Sequence, residues 1–401
     1  MAEAGLDYSQ LFAKDLPAAA GRWGGFAKYN FIGGHNSPED IPVEDLIESS
    51  ARALRQEGRD LATYNLQSGP LGYIGLREFM VEKLAHYRGI RANADEVLIT
   101  PGSNPAINLV NQVMLEPGDT VIMELFTYQS AVNRLRALKV NIIGISLDHD
   151  GMRMDELAET LADLRQKGVT PKYIYTIPTV QNPTGTVMSL ARRHELLGLS
   201  QEYGVPIFED ECYTDLLWEG EAPPAICALD TENRVIHIGS FSKSLSPSLR
   251  LGYVHAPWEV LSQMLACKSD SGTAALGQMV VADFFQNHYV EHMQRLHVSF
   301  KRKLDALVAA LRQHFGEVVE FEVPPGGMFL WVKFPEHIDT KKLEQPALQE
   351  GVAFNPGSDW TTNPEAARNY LRLCFALPSE PQIAEGVAKL AAVFRQEAGI
   401  P

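Results

Sequence analysis

Short runs of apolar and β-branched residues recur along this chain, separated by stretches of helical periodicity. The runs fall at residues 96–100, 120–124, 140–147, 172–177, 205–210 and 235–238. Apolar runs of this length, closed by Gly, Pro, Ser or Asn, mark strands buried on both faces. Between them, residues 43–55 (Leu46, Ile47, Ala51, Leu54), 106–114 and 155–167 place apolar side chains every three to four positions, which predicts amphipathic helices. The alternation predicts an α/β fold with a mostly parallel sheet and a site built from loops at the strand C-terminal ends. After Gly277 the rhythm changes. Residues 278–314 read as one long helix, 323–332 as a turn into a strand, and 370–376 as a further strand. Residues 1–45 are irregular and rich in Gly and Pro, with a loop signature at 33–38.

Composition narrows the partners. The chain has 401 residues, 45% of them hydrophobic, enough for a large core and more than one domain. A formal charge of −15 argues against nucleic acid or an anionic membrane as partner. Cys212, Cys227, Cys267 and Cys374 are far apart and form no Cys-x-x-Cys pair, so neither a disulfide framework nor a cysteine zinc site is expected. The N-terminus carries Glu3, Asp7 and Lys14 and lacks the apolar core of a signal peptide. No run approaches the roughly twenty apolar residues that span a bilayer. A cytoplasmic location is expected.

The chemistry concentrates where runs end. The run at 235–238 is expected to break at Gly239 into a hydroxyl-rich loop with Ser240, Ser242 and Lys243, and Arg250 follows seven residues after the lysine. Several oxyanion donors around one amine suit a phosphorylated aldehyde cofactor, held by its phosphate while the lysine forms a Schiff base. After the run at 96–100, Pro101-Gly102-Ser103-Asn104-Pro105 reads as a turn before a helix, an arrangement that offers free N–H groups to an anion; read alone, Ser103 is an ordinary N-cap. Glu209 and Asp210 close the run at 205–210. Paired acids suit acid–base work or a metal, but no histidine is near in sequence and no metal is expected. His288-Tyr289-Val290-Glu291-His292 fits one zinc-peptidase string, though a solvated helix face accounts for it better. Arg372 interrupts an apolar strand and needs a partner.

The string Ser-Phe-Ser-Lys-x-x-x-Pro-x-x-Arg at 240–250, followed by Leu251-Gly252-Tyr253, resembles the lysine segment of the class I/II pyridoxal-phosphate-dependent aminotransferases, the fold-type I enzymes. The 2-aminoadipate and kynurenine branch is the most similar. Asn182-Pro183-Thr184-Gly185, Asp210-Glu211-Cys212-Tyr213, Gly326-Gly327-Met328-Phe329 and Tyr370-Leu371-Arg372 stand in the family's order, so the resemblance covers about residues 30–395. It implies pyridoxal 5'-phosphate as cofactor, carried by Lys243, which also shuttles the proton between Cα and C4′. Asp210 would face the pyridine nitrogen. Asn182 and Tyr213 would bond the phenolic oxygen. Tyr128 would stack on the ring. Ser103, Asn104, Ser240, Ser242 and Arg250 would hold the phosphate, joined by Tyr64 from a neighbouring subunit. Arg372 would grip the substrate α-carboxylate, with Asn182 and Gly34 also at the substrate. About three extra residues between Tyr64 and Gly72 set this chain apart from the usual pattern.

The resemblance further implies an N-terminal arm over 1–45, a large cofactor-binding domain over 46–280 and a small C-terminal α/β domain over 281–401. It implies a homodimer that moves an amino group between an L-amino acid and a 2-oxo acid. The same cofactor shell also serves elimination, replacement or cyclisation of amino acids. A ligand-sensing role, as in MocR-type regulators that carry a basic winged-helix module ahead of this fold, is the less expected alternative, since only about 45 acidic-to-neutral residues precede the fold here.

Overall fold

The computed structural model describes residues 6–14, 16 and 19–400. Glu3 and part of the expected arm lie outside them. A seven-stranded sheet organises the rest. Six strands are those the apolar runs anticipate: β1 (Val97–Thr100), β2 (Thr120–Glu124), β3 (Asn141–Ile145), β4 (Ile174–Thr176), β5 (Ile207–Asp210) and β6 (Val235–Ser240). The seventh, β7 (Gly252–His255), lies antiparallel between β1 and β6, giving the order β1-β7-β6-β5-β4-β2-β3. The other neighbours are parallel. All four residues of β5 and all six of β6 are buried, as strands covered by helices on both faces must be.

The expected break at Gly239 does not occur. The glycine stays in β6 opposite Tyr253 of β7, and the Tyr253 ring fills the space where a Cβ would stand. Here glycine marks close packing rather than a turn. The helix after β1 also begins earlier than expected. It runs Ser103–Met114, with Gly102 as N-cap, so Ser103 and Asn104 are its first two residues rather than a preceding turn. Pro105 is tolerated because the first helical N–H groups have no partner within the helix.

The chain's later third forms a second, antiparallel sheet, with β8 (Phe329–Lys333) and β9 (Asn355–Pro356) flanking β10 (Tyr370–Cys374). Residues Tyr29–Asn30 pair in parallel with Val352–Ala353, tying the N-terminal segment to this third. The long helix Ala275–Phe315 has 41 residues and runs without interruption across the expected boundary at 280/281. It packs on Val43–Glu57 and on Glu380–Ala398, and its buried face belongs to the same apolar core as the main sheet. Among the described residues no helix is long and apolar enough to cross a membrane.

Candidate active site

The C-terminal ends of β1, β2, β4, β5 and β6 point to one edge of the sheet, and the loops leaving them carry most of the residues singled out above. Lys243, three residues beyond β6, is half-buried. Its Nζ donates to the Gly34 carbonyl at 2.8 Å. Among the described residues it has no acidic partner. Burial holds its pKa below that of a free lysine; the thiols of Cys374 and Cys212 oppose this, and Arg372 and Arg250 add to it. A neutral amine is the form that can take a proton. Gly34 is required for this approach, since a Cβ there would lie 2.7 Å from Nζ and 3.2 Å from Phe329 Cζ. Asn36 fixes the same segment by donating from Nδ2 to the carbonyls of Lys243 and Leu245 at 3.3 and 3.2 Å.

Asp210 closes β5, buried, one strand over from the lysine loop. It accepts a hydrogen bond from the Tyr175 hydroxyl at 2.7 Å and one from the Cys212 N–H at 3.2 Å. Burial raises its pKa, and those donors hold it down in part. No ion pair includes it among the described residues. Asn182 donates from Nδ2 to the Tyr213 hydroxyl at 3.0 Å, and both side chains are buried.

The anion-type cradle forms where the start of helix Ser103–Met114 meets the loop after β6. Ser240 Oγ accepts from the Ser242 N–H at 3.1 Å. Arg250 donates to Ser242 Oγ at 3.5 Å, to Pro247 O at 2.9 Å and to Pro101 O at 3.2 Å. Asn104 Oδ1 is buried with no partner. Gly102 (φ +102°) lies under the guanidinium, where a Cβ would come within 2.5 Å of Nη2.

Arg372, from β10, reaches the same space. Its guanidinium lies between the Trp360 ring (3.4 Å to the centroid) and the Phe329 ring (3.8 Å). It donates to Asn182 Oδ1 at 2.9 Å, Asn355 Oδ1 at 2.8 Å and Gly33 O at 3.0 Å, and Nε has no partner. None of these acceptors is charged, and burial pulls the pKa down to about 10. Tyr128 caps the helix Gln129–Ala137 and tilts against Trp360 at 6.1 Å.

Tyr64 is not among these groups. It is 86% exposed, in a tight turn whose next three residues, Asn65, Leu66 and Gln67, all have positive φ. The two acids of β5 also part company. Alternation along the strand sends Glu209 to the opposite face, where it meets His237 Nδ1 at 2.8 Å. Glu211 joins that side through Arg88, whose Nε donates to it at 2.6 Å. Glu209, Glu211 and His237 can bring ligand atoms within 4.8 Å of one another, so the absence of a histidine near in sequence did not mean absence in space. Arg88 and Arg193 already neutralise this cluster. The 288–292 string is not a solvated face either. His292 is buried, bonded through Nε2 to Ser244 O at 2.7 Å, and burial takes its pKa down to about 4.

Tyr175, Asn36, Asn355, Phe329 and Trp360 join the site without having been singled out. Only Tyr175 left a trace: a tyrosine inside a buried strand must find a partner for its hydroxyl.

A half-buried amine without an acid, a buried acid without a cation, an unpartnered Asn104 Oδ1 and a guanidinium with no counter-charge lie on or reach the loops at the strand C-terminal ends. This donor set fits an aldehyde carrying a phosphate and a basic ring nitrogen, beside a carboxylate ligand. The comparisons agree. The family model described as aminotransferase class I and II matches residues 35–390. The 2-aminoadipate transaminase of Thermus thermophilus is 34% identical over 90% of this chain and 88% of its own length. The aromatic-amino-acid aminotransferase 1 of Thermococcus litoralis is 33% identical over 92% and 88%. The crystal structure of a multiple substrate aminotransferase from Thermococcus profundus superposes with a TM-score of 0.90 at 32% identity, covering 98% of this chain and all of that one.

Proposed function

The chain belongs to the aminotransferase class I and II family, and from that premise we propose how its own side chains carry out pyridoxal-phosphate-dependent amino-group transfer between an amino acid and a 2-oxo acid. When bound, the cofactor supplies an aldehyde that condenses with amines and a ring that takes up the electron pair left when Cα loses a proton. Lys243 would hold the aldehyde and Asp210 the ring nitrogen. Asn182 and Tyr213 would hold the phenolic oxygen, and Tyr128 would cover the ring face. Ser103, Asn104, Ser240, Ser242 and Arg250 would hold the phosphate.

Arg372 binds the substrate carboxylate. Its fork is pre-aimed by Asn182, Asn355 and Gly33 and kept dry by Trp360 and Phe329, and an always-charged planar donor is suited to a bidentate grip. Gly34 leaves room for the substrate beside Lys243. Once free, the Lys243 amine would take the proton from substrate Cα and deliver it to C4′, the cofactor's aldehyde carbon. Burial lowers its pKa, which favours the neutral form that accepts a proton. The carrying observation is that a half-buried Lys243 in the loop after β6 and a buried Asp210 at the end of neighbouring β5 are both without an ion-pair partner among the described residues. Lys243→Ala, loaded with cofactor, is expected to show no long-wavelength absorption and no turnover. Full turnover in that variant would overturn the reading.

Tyr64 is read as a phosphate ligand supplied to a second copy. Its exposure supports this, as do the exposed apolar side chains of Val43, Ile47 and Leu61 nearby in sequence. A homodimer follows, and sedimentation at micromolar concentration tests it. The arm at 1–45 and the small domain from 281 are read as closing over substrate. Four unpaired cysteines support a reducing, cytosolic setting.

A further inference from the structure

Glu124 closes β2 and is fully buried, yet none of the roles above uses it. Its carboxylate collects its donors from the neighbouring chain: Thr176 Oγ1 at 2.6 Å, the Ile177 N–H at 3.2 Å and Gln181 Nε2 at 3.0 Å. Among the described residues no cation pairs with it. A carboxylate removed from water is retained only where its lone pairs are satisfied. The first two donors belong to β4 and the residue after it. The third belongs to the loop.

Gln181 uses every polar atom it has. Besides Glu124, Nε2 donates to Phe126 O at 2.6 Å. Oε1 accepts from the Thr184 N–H at 2.9 Å and the Thr184 hydroxyl at 2.8 Å. Its backbone N–H donates to Thr186 O, and its carbonyl accepts from the Gly185 N–H. It therefore locks the turn 181–186. The next residue is Asn182, bonded to Tyr213 on one side and to Arg372 on the other.

We propose that Glu124 is a positioning residue: by holding Gln181 it fixes Asn182 between the cofactor side and the substrate side of the site. This rests on reading Asn182 as facing the phenolic oxygen. Glu124→Gln is the selective probe. It keeps an acceptor oxygen for Thr176 and Ile177 but turns an amide N–H₂ against the N–H₂ of Gln181. Gln181→Met severs the same link from the other end. Thr176→Val removes a donor from the same carboxylate without touching the turn. Asn182→Ala is the reference.

The readouts are the pH titration of the visible band in substrate-free holoenzyme, KM for the amino donor, and the unfolding midpoint. Asn182→Ala removes a donor to the ionised oxygen, so its titration midpoint rises. Glu124→Gln and Gln181→Met are expected to move the midpoint the same way, by roughly half a unit or more, and to raise KM about tenfold, equivalent to one lost hydrogen bond to a charged group. Thr176→Val loses stability but keeps the wild-type titration and KM. Wild-type values in Gln181→Met, or in a folded Glu124→Gln, beside a shifted Asn182→Ala overturn the proposal. A shift in Thr176→Val equal to theirs overturns it too, because the effect is then general loosening. An unshifted Asn182→Ala overturns the reading of Asn182 itself.

Discussion

Arg372 donates from Nη1 to Asn182 Oδ1 across 2.9 Å. The group read as gripping the substrate is thus hydrogen-bonded to the group read as steering the cofactor. Asn182 gives its other end to Tyr213, so three side chains from three separate segments share one geometry. A change at one end is felt at the other without movement of the sheet.

Replacement of Arg372 by Lys is expected to lower kcat/KM for amino donors by about 10²–10³. Lysine has no fork and cannot lie flat between Trp360 and Phe329, and one or two charge-assisted hydrogen bonds are lost at about 1.5–3 kcal/mol each. Steady-state kinetics on the single and double variants with Asn182→Ala check this. The double variant is expected to be less impaired than the sum of the singles, because the two residues share a hydrogen bond.

Gly102→Ala should impair cofactor binding without touching a reacting atom. The backbone sits at φ +102°, where an L side chain is strained by about 1–3 kcal/mol. The new methyl also meets the Arg250 guanidinium. The expected outcome is a lower unfolding temperature of the apoenzyme and at least a tenfold weaker cofactor dissociation constant, read by absorbance titration. Unchanged affinity would argue against Arg250 as a phosphate ligand.

The Arg88–Glu211 pair sets part of the acid limb of stability. Burial alone would raise the Glu211 carboxyl, but Arg88, with His237 and Arg193 adding, holds it far below the ordinary carboxylate range. A folded-state pKa below the unfolded value means the unfolded chain binds the extra proton first. The contribution is present above about pH 4.5 and is lost as pH falls. Glu211→Gln should flatten the acid limb in urea unfolding series. Arg88→Ala should cost about 3–5 kcal/mol by removing the closer of the two arginines that face the buried acid.

Lys243 moves stability with pH in the same sense, in a higher window. Its folded-state pKa is lowered, chiefly by burial, so over the window between that lowered value and 10.5 the unfolded chain carries more protons. Apoenzyme stability attributable to this residue therefore rises with pH across that window. The difference in urea midpoint between wild-type apoenzyme and Lys243→Met should change with pH in that sense. A pH-independent difference would mean the amine titrates normally.

How much of this was legible from the chain differs by residue. Five of the six runs gave their strands because burial on both faces leaves a continuous apolar string; β3, at the sheet edge, is only partly buried and was marked by its isoleucines. β7 was not picked out, because Gly252–His255 begins with a glycine, ends with a histidine and offers only Tyr253 and Val254 as an apolar run after a loop rich in polar residues. Lys243, Asp210 and Arg372 were found because each closes or follows a strand or interrupts an apolar run, and Asn182 through the resemblance of Asn182-Pro183-Thr184-Gly185 to the family's string. Asn36, Gln181 and Glu124 were not, because their importance lies in bonds to residues far along the chain, and a single Asn, Gln or Glu carries no local sign of such a bond. Gly239 misled for a related reason. A glycine that admits a tyrosine ring and a glycine that turns the chain look the same in one sequence.

The helix Ala275–Phe315 has one more consequence. At 41 residues it is a rod about 60 Å long, attached along its length to elements of both the main sheet's flank and the later third. A rod of that kind resists sharp folding and yields only by gentle curvature. Any swing of the β8–β10 sheet toward Lys243 must be absorbed at the tethers beside the rod.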